Sequence, residues 1–133
     1  MVRISQAEYD ALVKGGHLPA PEKKPSRTGK YKSKAEAQYA WELEAMLKDG
    51  DISWWAYEPI TLVVVDAGGK RCRYTPDFLL VRETEHGSEL EFIEVKGFCR
   101  EAARIRFLAA RERYPFWTFT MVRKAKHGWE TIL

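Results

Sequence analysis

The stretch Tyr74-Thr75-Pro76-Asp77-Phe78-Leu79-Leu80, followed by Phe92-Ile93-Glu94-Val95-Lys96-Gly97, decides how this chain is read. Side chains alternate along a strand, so Glu94 and Lys96 share one face of the second segment, and Ile93 and Val95 share the other. Both faces are largely apolar, which predicts a buried central strand. A carboxylate and an ammonium placed there cost several kcal/mol unless something compensates. A metal ion beside Glu94 would compensate. Pro76 has no backbone donor and breaks a ladder just before Asp77. That predicts a bulge or strand edge, from which the Asp77 side chain can turn toward a neighbouring strand. Asp77 and Glu94 lie on successive strand runs, and two carboxylates paired across a sheet repel each other without a cation between them.

Outward from this stretch the pattern is regular. Residues 71–81 and 90–96 read as strands separated by a polar loop at 83–88. Before them, 52–57 and 60–65 are strand-like, and Asp66-Ala67-Gly68-Gly69 is a natural hairpin turn. A helix is expected over 33–48, because Glu36, Ala40, Leu43 and Leu47 recur on one stripe and Asp49-Gly50 ends it. A second helix is expected over 100–113, stopped by Pro115, with Ala102, Ile105, Leu108 and Ala109 as its apolar face. A last strand follows at 116–122. A short helix is also expected at 6–14, opened by the capping box Ser5-Gln6-Ala7-Glu8 and closed by Gly15-Gly16. Residues 15–30, rich in proline and lysine, read as a linker or arm. The order predicts an α/β fold, a mixed sheet with helices packed on it, with an arm at 1–29 and one domain at 30–133.

The 133 residues suit one domain with one core, and 45% hydrophobic with 31% charged residues is an ordinary globular balance. The charged opening MVRISQAEYD lacks the apolar stretch of a signal peptide, and a short apolar run such as Leu62–Val65 cannot span a bilayer. The expected location is the cytoplasm, with no membrane partner. Cys72 and Cys99 stand far apart, and His17, His86 and His127 are scattered, which argues against a disulfide framework or a zinc site. A metal here would sit on oxygen ligands, which favours Mg²⁺ or Mn²⁺. The net charge of +3 is a weak hint of nucleic acid. The distribution says more: Lys23, Lys24, Arg27, Lys30, Lys32 and Lys34 form one basic run. It reads either as a solvated arm or as a phosphate-contacting one.

This chemistry suits phosphodiester hydrolysis, in which a hard cation activates water and screens the phosphate while Lys96 serves the water or the developing charge. Taken singly, each residue reads as structural: a Glu–Lys pair on a strand and a turn aspartate after proline. Together they favour a site. Thr75-Pro76-Asp77 with Glu94-Val95-Lys96 resembles the PD-(D/E)XK nuclease signature, and the likeness extends over about residues 30–122. The resemblance implies a restriction-endonuclease-like core and a metal-dependent DNA endonuclease. Ser33-Lys34-Ala35-Glu36-Ala37, Tyr57-Glu58-Pro59, Tyr-x-Pro-Asp-Phe and Glu-Val-Lys-Gly are similar to small phage- and prophage-borne nucleases, some regarded as Holliday-junction-resolvase-like. A similar pattern occurs in the end-cleaving nuclease subunit of certain cut-and-paste transposons. Branched or junction DNA is the preferred substrate on that resemblance, and transposon end cleavage the alternative.

The expected catalytic set is Glu36, Asp77, Glu94 and Lys96, and the expected metal site is Asp77, Glu94, Glu36 and Val95. Glu36 has two readings. It completes a capping box with Ser33, which would fold it back on its own helix start, and it heads the stripe that should face the sheet. The resemblance implies a first-helix glutamate as an extra metal ligand. Expected DNA contacts are Lys30, Lys32, Lys34, Arg73, Arg100 and Arg104. Arg100, Arg104, Phe107 and Arg111 fall on one helical stripe suited to phosphates flanking a cut, although Arg111 serves equally as an ordinary solvated residue. Of the tryptophans, Trp54 and Trp55 point to opposite strand faces, and Trp41 and Trp117 are expected to be core or half-buried. The rival reading is a non-catalytic DNA-binding module on the same fold, which Mg²⁺-dependent stabilisation would separate from an enzyme. An accessory subunit that cuts only beside a partner, and a two-fold dimer, stay open.

Overall fold

A computed structural model describes residues 30–97 and 101–133. The helix expected at 6–14, the arm before residue 30, and Arg100 lie outside the described residues. Helix α1 (Lys34–Asp49) begins at Ser33, whose side chain accepts the Glu36 amide, and ends at Gly50 with φ 82°. Ser33 satisfies one of the four unpaired amides of a helix start, and glycine reaches the left-handed cap without the strain a Cβ would meet. Glu36, Ala40, Leu43 and Leu47 are all buried, as the stripe predicted.

Strands β1 (Ile52–Tyr57), β2 (Leu62–Val65), β3 (Arg71–Tyr74), β4 (Phe78–Thr84) and β5 (Gly87–Val95) follow, then helix α2 (Glu101–Arg113), β6 (Thr118–Ala125) and β7 (Gly128–Thr131). Five strands form a mixed sheet in the order β1-β4-β5-β6-β7, and β2 pairs with β3 as a separate ribbon. The β5–β6 pairing is parallel, because α2 crosses over between them; the other pairs of the sheet are antiparallel. The central strand is β5, as its two apolar faces required.

Two differences from expectation have one cause each. The run at 71–81 is two strands, because Pro76 stops the ladder and sends β3 into the ribbon and β4 into the sheet. The loop at 83–88 is instead a tight hairpin, with Thr84 paired to Gly87.

The sheet is covered on both faces. Ile52, Trp55, Phe78, Leu80, Ile93 and Val95 pack under α1. Trp54, Leu79, Phe92, Phe119 and Met121 pack under the ribbon and α2, which contribute Leu62, Val64, Tyr74, Phe107 and Ala110. Adjacent Trp54 and Trp55 thus fill opposite cores, as alternation demands. Trp41 is half-buried on α1, 49% exposed.

Helix α2 also turns a different face inward. Phe107 and Ala110 are its buried residues, while Ala102, Ile105 and Leu108 are exposed. Of the stripe Arg104, Phe107 and Arg111, Arg104 is exposed while Phe107 and Arg111 face protein: the Arg111 guanidinium lies 4.9 Å from the Phe107 ring centre and donates to the Phe119 carbonyl. Phe107→Ala should cost about 3–5 kcal/mol through lost burial and a cavity, and Ile105→Ala less than about 1 kcal/mol. Urea unfolding of both variants checks the phase; equal losses would contradict it.

Candidate active site

Pro76 is fully buried, so the chain leaves the ribbon at Tyr74 and re-enters the sheet at Phe78 along one fixed path. The β4–β5 ladder ends at Phe78 opposite Ile93. Asp77 and Glu94 are the next residues along and face each other where pairing stops. Alternation puts both on the face shared by Leu79 and Phe92, beneath the ribbon and α2. One Asp77 oxygen, Oδ2, accepts the Val95 amide at 2.8 Å. The Tyr74 hydroxyl donates to Glu94 Oε2 at 3.2 Å.

These contacts hold two acids in a setting that resists charge. Burial lifts the Asp77 carboxyl well above the ordinary range; the Glu94 and Glu36 charges push the same way, and the Val95 amide opposes them. Burial also raises Glu94, partly offset by hydrogen bonds from Asp77 and Tyr74. The principal groups acting on the two are each other, Glu36, the Val95 amide and the Tyr74 phenol, with the Lys32 charge felt more weakly at Asp77. Burial and the two carboxylates hold the Tyr74 phenol protonated, so it remains a donor.

Glu36 is 7% exposed, and both its oxygens are engaged. Ser33 Oγ donates to Oε2 at 2.8 Å and the Tyr57 hydroxyl to Oε1 at 2.9 Å. The capping reading therefore holds, and Glu36 still lies near enough to act on both strand carboxyls. Among the described residues no three Asp, Glu, His or Cys side chains gather as a ready metal cage. The arrangement is a carboxylate pair with Glu36 set back from it. Carboxylate and carbonyl oxygens of this kind suit a hard divalent ion that keeps several waters. From Val95 only the main-chain oxygen can ligate.

Lys96 follows the last strand residue and donates its amide to the Val122 carbonyl at 2.8 Å. Lys96, with Glu94, Glu101, Arg104, Met121 and Arg123, lines a cleft of about 520 Å³ between the sheet end and the start of α2. Arg104 also lines this cleft. Lys30, Lys32 and Lys34 are exposed at the entry to α1, and Arg73 is exposed on the ribbon. Lys32 is not free, since its Nζ lies 2.7 Å from Glu58 Oε2.

Two residues gained no role from sequence reasoning. Tyr74 lay within a quoted motif, but nothing in a strand pattern shows that its hydroxyl crosses from the ribbon to Glu94. Glu58 sits at φ 46°, a strained left-handed conformation for a residue with a side chain. Its amide donates to the Asp77 carbonyl at 2.8 Å, so the strain occurs where the chain supports the aspartate. The Tyr57-Glu58-Pro59 step was the available signal.

A helix-flanked mixed sheet, with a Pro-Asp turn facing Glu-x-Lys on the adjoining strand, defines a restriction-endonuclease-like nuclease domain. The family model for the TnsA-like endonuclease N terminal matches residues 49–115, and the chain belongs to that family. The matched segment contains Tyr74, Asp77, Glu94, Lys96 and Arg104, whereas Glu36 precedes it. No curated protein matches the chain. Among the described residues no helix is long and apolar enough to cross a membrane.

Proposed function

We propose that the chain is a DNA endonuclease dependent on Mg²⁺ or Mn²⁺, with Asp77 and Glu94 as the metal-holding pair. The observation that carries this reading is two largely buried carboxyl groups, face to face, each pushed by burial and by neighbouring acids toward its protonated form. Such a pair is costly in a bare protein and favourable around a divalent ion. The Val95 carbonyl and Glu36 complete the proposed ligand set, Glu36 by exchanging a hydroxyl partner. When bound, the ion lowers the pKa of water and screens the phosphate. Asp77 and Glu94 fix where that happens, and Lys96 in the adjoining cleft takes the proton of the attacking water or steadies charge on the phosphate. Lys30, Lys32, Lys34, Arg73, Arg100 and Arg104 are the proposed DNA contacts.

Family membership supports nuclease chemistry and favours the transposon type of end cleavage over junction resolution. A phage origin and a branched substrate rest on sequence resemblance alone. Incubation with linear, nicked, flapped and four-way DNA, with and without each cation, tests the reading. Cation-dependent cutting is expected, and no cutting of any form with either cation would remove it. Selective cutting of four-way DNA would restore the junction alternative. Two-fold pairing of the domain would suit paired cuts, and sedimentation shows whether it forms.

The Tyr74 contact gives a milder prediction. Tyr74→Phe keeps the packed ring and removes one donor to Glu94, so cleavage should fall about tenfold, or about 1.4 kcal/mol, with an unchanged melting temperature. Cleavage at the unmodified rate would show that the hydroxyl plays no positioning role.

A further inference from the structure

The β2–β3 ribbon presents two unlike faces. Its inner face, Leu62, Val64 and Tyr74, is buried against the sheet. Its outer face carries two cross-strand pairs in register, Val63 with Arg73 and Val65 with Arg71. Val63 and Val65 are 42% and 46% exposed, and both arginines are exposed. Alternation therefore sets two guanidinium groups in a row, about 6.6 Å apart along one strand.

Nothing on the ribbon answers their charge. Its one acid, Asp66, accepts the Gly68 and Lys70 amides at 2.9 Å each to shape the turn. The described ion pairs belong to Lys32, Arg82, Arg104 and Arg123 instead. The row also points at the proposed centre. Arg73 is followed by Tyr74, which bonds Glu94, and Asp77 comes four residues after Arg73.

We infer that the outer face of this ribbon docks the flank of a duplex DNA substrate, with Arg71 and Arg73 on two phosphates of that flank. The inference rests on the nuclease reading above. Arginine suits this occupant because its planar donors match phosphate oxygens. Strand geometry sets the reach. At about 3.3 Å per residue, Arg73 lies within about 13 Å of Asp77 along the chain, and Arg71 within about 20 Å. At about 3.4 Å per nucleotide, these distances correspond to roughly four and six nucleotides from the scissile phosphate.

The test is binding of a labelled duplex in EDTA, where no cut intervenes, across a salt series. The Arg71→Ala/Arg73→Ala double variant should bind about tenfold or more weakly at low salt. Its slope of log affinity against log salt should be shallower by about 1.8, the value for two lost phosphate contacts. Arg71→Lys/Arg73→Lys should retain most of the slope, and equal melting temperatures show that both variants fold. In Mg²⁺ the double variant's cleavage defect should vanish on substrates trimmed to fewer than about four base pairs on that flank. Unchanged affinity and slope would overturn the inference even if the protein cleaves normally, and would leave the face to a protein partner. If the unmodified protein cuts nothing, the nuclease reading fails, while the salt slope still decides what the ribbon binds.

Discussion

Asp77→Asn and Glu94→Gln should each reduce cleavage by about 10³-fold or more, some 4 kcal/mol of lost transition-state stabilisation, while the fold survives. The size follows from the position of the pair. Asp77 and Glu94 stand just past the Phe78–Ile93 end of the β4–β5 ladder, so neither has a strand neighbour that can replace it. Asparagine and glutamine keep the shape and one oxygen but lose the charge that attracts a divalent ion. Glu36 cannot substitute, because it projects from another element and is held by Ser33 and Tyr57. Folding is spared because Val95 and Tyr74 donate to oxygens that an amide also supplies. Single-turnover cleavage with circular dichroism checks both halves. Activity within a few-fold of the unmodified protein would remove the pair from the mechanism.

The second large effect concerns stability. Both carboxyls bind their protons more tightly in the folded chain than in the unfolded one, chiefly through burial. The unfolded groups ionise near the ordinary carboxyl value of about 4, so folded stability declines as pH rises from there through neutrality. Without divalent ions the protein should lose on the order of 2 kcal/mol or more from this pair between about pH 5 and pH 8. Mg²⁺ or Mn²⁺ at pH 8 should restore it, because a ligand that binds only the folded form stabilises by mass action. Asp77→Asn should flatten the decline and abolish most of the restoration. Thermal melts in EDTA and in millimolar Mg²⁺ across pH provide the check. A pH-independent melting temperature would mean the acids are less confined than their surroundings indicate.

Much of this was legible because it depends on local rules. Pro76 announces a broken ladder, and alternation places Glu94 with Lys96 and Trp54 opposite Trp55. Strand β1 lies at 52–57 as its pattern predicts. What stayed hidden depends on neighbours distant in sequence. The phase of α2 misled because Ile105 and Leu108 are apolar yet exposed, while the buried Phe107 sits in a stripe of arginines. Strand β7 was not foreseen: Gly128–Thr131 is short, and only pairing with β6 makes it a strand. The double engagement of Glu36, the Tyr74 hydroxyl and the support that Glu58 gives Asp77 all join separate elements. A linear pattern nominates such residues without showing what they touch.

The central claim is that residues 77 and 94 grip one ion jointly, and direct titration of Mn²⁺ into DNA-free protein tests it without any cleavage assay. The unmodified domain should take up manganese, and replacing either acid by its amide should remove nearly all of that uptake. Equal manganese binding by all three proteins would place the ion elsewhere and contradict the account.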